Sequence, residues 1–239
     1  MRPFALTLCA VSRLSREAFV SSSLLARSLA VMPQAWLPRI SLLVDNGPPH
    51  PTTGLSEAYN QFLDQAPAGA FLLFVHDDVY LHDWFFVQRL EEAFTRFDVV
   101  GLAGNRAPDL RQPSWALRFD GDEAPLGWQD PSQLSGAVGH GDPARPSVTL
   151  YGPCPAACPL LDGLFLAVNV DALRAASVRF DPRFRFHGYD LDFCRAATAA
   201  GLRVGTWPIA VTHASGGSFG AEDWKHAARL YKAKWGDAP

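Results

Sequence analysis

Four short polar clusters hold the side chains of this chain that could do chemistry together. Asp45 and Asn46 close "LLVDN", and His76, Asp77 and Asp78 close "FLLFVHDD". Asp190 and Asp192 lie in "FHGYDLDFC", and His213 lies in "THASGGS". Carboxylate oxygens suit Mg²⁺ or Mn²⁺, which complete their shells with phosphate oxygens and water, and a histidine nitrogen shifts the balance toward Mn²⁺. A nucleoside diphosphate would supply those phosphates. The glycines after His213 let backbone N–H groups approach a phosphate closely, and Ser215 and Ser218 add hydroxyl donors. Plainer readings stand beside these. Acids at strand ends are often just solvated or cap the next helix, and a first-turn aspartate answers the helix dipole. Asp192 is assigned that structural task.

The elements that must position these groups follow from periodicity. "FALTLCAVS" predicts a strand, and "SREAFVSSSLLARSLAVM" a helix capped by Ser15 with Glu17 in its first turn. "RISLLVDN" predicts a second buried strand. "LSEAYNQFLDQA" places Leu55, Ala58, Tyr59, Phe62 and Leu63 on one helical face, and "FLLFV" is a third strand. Strands alternating with helices imply right-handed crossovers and an α/β fold with a mostly parallel central sheet. Ligands of such sheets sit beyond the carboxyl ends of the strands, where the four clusters fall.

"DWFFVQRLEEAFTRF" predicts a helix capped by Asp83, and "DVVGLAG" another strand. From 105 to 160 the periodicity fails, so this stretch is expected to be a functional flap with short strands or an inserted subdomain. Regular pattern returns with "DGLFLAVN" as a strand, "VDALRAA" as a short helix and "YDLDFCRAATAAG" as a helix closed by Gly201. "LRVGTWPIAV" reads as a strand, and "AEDWKHAARLYKAKW" is amphipathic. The whole of 1–239 is expected to form a single domain.

Composition narrows the function classes. A net charge of −3, with no dense Lys/Arg stripe, gives no reason to bind nucleic acid. The opening "MRPFALTLCAVSRL" reads as the first strand and not as a secretory signal, and no apolar run reaches the 18 to 20 residues of a membrane span, which leaves only peripheral membrane association. Cys9, Cys154, Cys158 and Cys194 lack paired zinc spacing and disulfide density, so a reduced cytoplasmic protein is expected, at most at the inner face of the membrane. "CPAAC" stays open between a bridge, a metal pair and two thiols. No feature of the sequence sets an oligomeric state.

The order "LLVDN", "GLSEAYNQFLDQA", "FLLFVHDDVYL", "LDGLFLAV", "FDPRFRFHGYDLDFC", "VTHASGGS" resembles the family-2-like glycosyltransferases of GT-A fold, over most of the chain except the middle stretch. The resemblance implies a GT-A domain with a nucleotide-sugar-binding half at 1–104, a flap or insertion at 105–160, and an acceptor and catalytic half at 161–239. It implies transfer of a sugar from a nucleotide-sugar donor to a hydroxyl of a glycan or lipid-linked acceptor, with inversion and a divalent metal, as in polysaccharide biosynthesis. Asp45 and Asn46 would then face the nucleoside, with His76 or Asp77 nearer the ribose and Ser215 near the phosphates. Asp78 and His213 would hold Mn²⁺ or Mg²⁺, and Asp190 would be the general base.

Asp162, Gly163, Tyr189 and Trp115 are expected on the acceptor side, with Trp128 a further stacking platform. Two positions depart from the family pattern: Tyr189 stands where a glutamate is usual, and His76 where the acidic motif usually begins with aspartate. Without the name, the residue types fit the same chemistry, because a carboxylate can take the proton of an attacking hydroxyl and a divalent ion can stabilise a departing diphosphate. Two alternatives remain. One is a nucleotide- or glycan-binding protein of the same fold without turnover. The other is a nucleotidyltransferase, against which stands the lack of a glycine-rich, lysine-bearing loop near the first strand.

Overall fold

The computed structural model describes residues 4–50, 52–120, 125–215 and 220–236. The first half contains β1 (Leu6–Val11), α1 (Arg16–Ser22), α2 (Leu24–Ala30), β2 (Arg39–Leu43), α3 (Leu55–Gln65), β3 (Phe71–Val75), β4 (Val79–Leu81), α4 (Phe86–Ala93), β5 (Val99–Gly101) and β6 (Ala103–Asn105). Two hairpins follow, β7 (Leu117–Phe119) with β8 (Pro125–Trp128) and β9 (Leu134–His140) with β10 (Ser147–Gly152). The rest comprises β11 (Ala156–Ala157), β12 (Leu160–Leu161), β13 (Phe165–Asn169), α5 (Val170–Ala175), α6 (Tyr189–Ala199), β14 (Val204–Thr206), β15 (Val211–His213) and α7 (Glu222–Trp235).

The main sheet has the order β11-β14-β5-β13-β3-β1-β2. β1, β2 and β3 are mutually parallel, and β5 and β14 share their direction because both lie across the antiparallel β13. Only β13 and β11 run the other way. Leu8, Leu73, Phe74, Val99, Val100, Phe165 and Leu166 are all fully buried, which is why the central strands read as continuous apolar runs. No helix among the described residues is long and apolar enough to cross a membrane.

A second sheet has the order β12-β6-β9-β15-β4, with β10 on the other edge of β9. Runs that read as single strands are broken here, each passing from the first sheet to the second. "DVVGLAG" gives β5 then β6, and "LRVGTWPIAV" gives β14 then β15, with Pro208 in the break; β3, expected as "FLLFV", is likewise followed by β4 in the second sheet. Bends of this kind turn a strand from one sheet into another and open a corner between them.

The stretch 105–160 is more regular than its sequence suggests. β9 and β10 are integral to the second sheet, and the signal was hidden because β9 is built for close approach. A Cβ at Gly136, whose φ is +100°, would lie 1.8 Å from the Leu102 carbonyl oxygen. Two helix expectations also change. The first helix is two, because Ser23 ends α1 through its N–H to the Phe19 carbonyl and caps α2 through its hydroxyl, which accepts from Ala26 N–H at 3.0 Å. Asp83 does not cap α4. It accepts from Phe85 N–H at 2.9 Å and pairs with Arg89, fixing the turn before the helix. All four cysteines are free thiols.

Candidate functional site

The carboxyl end of β3 is where the separate clusters meet. His76 follows β3 directly and its N–H donates to the Leu164 carbonyl, which brings Asp162 and Gly163, just ahead of the antiparallel β13, to the same edge. β15 pairs with β4 so that His213 lies opposite Val79, and Ala214 N–H donates to the Asp78 carbonyl. The segment leading into α6 is held from α3, where Ser56 Oγ donates to the Phe184 carbonyl at 2.6 Å and the Asn60 amide to Phe180 at 2.8 Å. Asn60 thus positions the loop that delivers Asp190.

His76, Asp78 and His213 each offer a ligand atom within 4.8 Å of the others. His213 Nε2 lies 3.2 Å from Asp78 Oδ1, and the two imidazole rings are 5.5 Å apart. Burial pushes the Asp78 carboxyl up, but the hydrogen bond and charge of His213, with His76, more than offset this and hold it at about 2. Burial lowers His213, and Asp78 more than restores it, leaving it raised. His76 is lowered by burial and by the charge of His213.

Tyr189 holds His76 from the α6 side of the site. Its hydroxyl donates to the Gly163 carbonyl at 3.1 Å and lies 2.7 Å from His76 Nε2. When that proton is given to Gly163, the tyrosine oxygen accepts from Nε2–H and the lone pair of His76 is on Nδ1; in the other tautomer of His76 the tyrosine donates to Nε2. Two imidazoles and one ionised carboxylate make a donor set that fits a divalent first-row ion. His76, expected on the ribose side, is therefore grouped by the structure with Asp78 and His213.

Asp190 occupies the first turn of α6 and accepts from Gly163 N–H at 2.9 Å. Burial raises its carboxyl, the charge of Asp162 raises it further, and backbone N–H groups of Leu191, Asp190 and Gly163 offset part of this, leaving it at about 7. Asp162 is fixed at both oxygens, by Leu164 N–H at 3.0 Å and by Trp115 Nε1–H at 3.0 Å. Gly163 has no room for a side chain, since a Cβ would lie 2.5 Å from the Tyr189 hydroxyl. These residues line a cleft of about 480 Å³ with His76, His213, Ser215 and Trp128.

The donor-side expectations are placed less tightly. Asp45 and Asn46 follow β2 and are joined to the end of β1 through Leu14 and Ser12, but neither lines the cleft. Asn46 spends its side-chain amide on both the N–H and the carbonyl of Thr53, closing the loop between them. Asp77 accepts from the Ser12 hydroxyl. Ser12 was overlooked in the sequence, although a serine directly after an apolar strand was a signal of the same kind as Asp45. Ser215 Oγ is 3.0 Å from His213 Nε2, while Gly216, Gly217 and Ser218 lie outside the described residues. Asp192 is buried and bonded to Trp235 Nε1 at 2.8 Å and to Lys234, tying α7 to α6.

No protein-family model matches the chain, and no curated protein matches it. Among solved structures, GalNAc-T7 with UDP, GalNAc and Mn²⁺ matches with a TM-score of 0.62 at 12% identity, over 100% of this chain and 49% of that one. The present chain spans about half the length of that protein. S. aureus TarS 1–349 matches at 0.47 and 14% identity, over 95% of this chain and 64% of that one. The mannosyltransferase PcManGT from Pyrobaculum calidifontis, in complex with GDP-Man and Mn²⁺, matches at 0.45 and 12%, over 96% and 61%. At these identities the likeness is one of architecture, and the fold is GT-A-like.

Proposed function

We propose that the protein is a nucleotide-sugar-dependent glycosyltransferase of hexosyltransferase type that moves a sugar to an acceptor hydroxyl with inversion at the anomeric carbon. The observation that carries this is a carboxylate with a pKa of about 7, Asp190, lining the same cleft as His76 and His213, which with Asp78 form a cluster suited to a divalent ion. The GalNAc-T7 structure, which holds UDP, GalNAc and Mn²⁺ on the same architecture, supports a nucleotide-sugar donor.

The chain's own groups account for the chemistry. A sugar hydroxyl becomes an adequate nucleophile only as its proton leaves, and a base works best with a pKa near the operating pH. Asp190 takes that proton while the acceptor oxygen bonds to the anomeric carbon from the face opposite the leaving group. The bond from that carbon to the phosphate oxygen breaks, and its electron pair departs with the nucleoside diphosphate. A divalent ion, with Mn²⁺ favoured by the two imidazoles, would be held by His76, Asp78 and His213 and would neutralise charge developing on the leaving diphosphate. Asp45 and Asp77, at the ends of the parallel strands, are the proposed nucleoside and ribose contacts.

The test is release of nucleoside diphosphate from UDP, GDP and dTDP sugars with Mn²⁺, Mg²⁺ or chelator, in wild type, Asp78→Ala and Asp190→Asn, with a pooled glycan extract as acceptor. Metal-dependent release from one donor, lost in both variants, supports the reading, and NMR of the product gives the anomer. Nucleotide binding without release under every condition would instead mark a binding protein of this fold.

A further inference from the structure

We infer that the acceptor taken by this cleft is a neutral glycan, and that polyanionic chains, whether phosphate- or uronate-bearing, are rejected. The inference rests on the glycosyltransferase reading and concerns the half of the cleft in front of Asp190.

The first observation is a run of rings leading from solvent to the base. Trp128 is 50% exposed at the mouth, and its ring lies 6.1 Å from that of Tyr151. Tyr151 lies 5.0 Å from Trp115 in an edge-on arrangement, and the Trp115 indole N–H is bonded to Asp162, next to the Gly163 that holds Asp190. Aromatic faces carry negative charge density, and the C–H faces of a pyranose are weakly positive and apolar, so the two stack. Trp128, with Tyr151 beside it, offers ring surface to a sugar in the cleft, while Trp115, only 8% exposed, holds Asp162 beside the base.

The second observation is electrostatic and independent of the first. The chain has 21 lysines and arginines, yet none is among the described residues that line the cleft. Apart from His76 and His213 of the metal cluster, and His140 and His187, the ionisable groups of the lining near the base are the carboxylates Asp162 and Asp190. A site for phosphate or uronate repeats would place Arg or Lys against them, because these residues supply paired donors and compensating charge. An acidic repeat seated beside Asp162 and Asp190 would meet like charge in a partly desolvated part of the cleft.

The experiment measures binding by tryptophan fluorescence and calorimetry on the full chain. The probes are cellohexaose, mannohexaose and chitohexaose, against hexagalacturonate, a ribitol-phosphate hexamer and a neutral Ser/Thr-rich peptide. UDP and GDP binding with Mn²⁺ is measured on the same sample. At least one neutral hexasaccharide is expected to bind ten-fold or more tighter than every acidic probe and the peptide. Trp128→Ala, at an exposed position, is expected to weaken it about five- to tenfold, the size of one stacking contact. Thr149→Lys, which places a cation on the lining, is expected to narrow the gap to the acidic probes. Tighter binding of an acidic probe or of the peptide, or binding of none by a sample that binds nucleotide, overturns the acceptor inference while leaving the transferase reading standing. A sample that binds no nucleotide overturns the transferase reading itself.

Discussion

Asp190 is held between opposing demands: burial and the charge of Asp162 push its proton on, while three backbone N–H groups favour the carboxylate. Its folded pKa of about 7, against an ordinary 3.8, has two consequences with definite signs. A base must be ionised to work, so kcat/KM for transfer is expected to rise with pH through about 7, and Asp190→Asn to lower kcat by roughly a hundred- to ten-thousandfold at pH 8. Between 3.8 and 7 the folded state binds the proton that the unfolded chain releases, so the favourable contribution is complete below 3.8 and is lost as pH rises through 7. Asp190→Asn is therefore expected to raise Tm relative to wild type at pH 8, with the gain vanishing near pH 4; thermal scans at the two pH values check this. Tyr189 makes a separate claim. Tyr189→Phe keeps the ring packed on Tyr59 and Phe180 but removes the hydroxyl that holds His76 Nε2. Mn²⁺ affinity, read by electron paramagnetic resonance on the protein without donor, is expected to fall about tenfold, as for other partners that orient a metal-binding histidine. Unchanged affinity would show that this hydrogen bond does not orient a ligand.

The strands act by changing sheets, and the break between β5 and β6 brings Leu102 against β9, leaving no room for a side chain there. Gly136 is the tightest: an added Cβ would meet the Leu102 carbonyl oxygen at 1.8 Å, at a positive φ. Gly141 has a positive φ as well, but nothing lies within 4 Å of its Cβ position. Gly141→Ala is expected to cost about 1 to 2 kcal/mol, the left-handed penalty alone, whereas Gly136→Ala adds overpacking and is expected to cost about 3 kcal/mol or more. Urea midpoints of the two variants measure the difference. The same bends explain what the sequence concealed. Apolar runs and caps such as Ser15 report burial and local backbone, so β1, α3 and β3 were legible, and with them the strand ends carrying His76 and Asp78. Periodicity does not report the point where a buried run leaves one sheet for another, so β5 with β6 and β14 with β15 each read as one strand. β9 was missed for a related reason: its small residues serve close approach and carry no strand propensity. Tyr189 lay in a recognised motif, but its partnership with His76 spans 113 positions and is visible only once α6 meets the sheet edge.

At the scale of the whole molecule, the question is whether the fold depends on the ion its cluster could hold. Among the described residues, every buried side-chain nitrogen or oxygen has a hydrogen-bond partner without one. Asp78 is paired with His213, and His76 with Tyr189, so no charge is stranded when the cluster is empty. A structural metal behaves otherwise, because its ligands are left uncompensated and its binding free energy is folding free energy. Chelator alone is therefore expected to leave Tm within about 1 °C of the untreated protein. On the proposed reading, nucleoside diphosphate with Mn²⁺ would bind the folded state only, and at a hundredfold excess over Kd it should add about 2.7 kcal/mol, or roughly 5 to 10 °C for a domain of this size. Asp78→Ala is expected to abolish that gain. A drop in Tm on chelation would instead mean that the ion is part of the fold, and the loss of turnover in Asp78→Ala would then report unfolding instead of chemistry. The chelator scan thus comes before any kinetic comparison, because it decides whether the cluster's variants can be read as statements about catalysis.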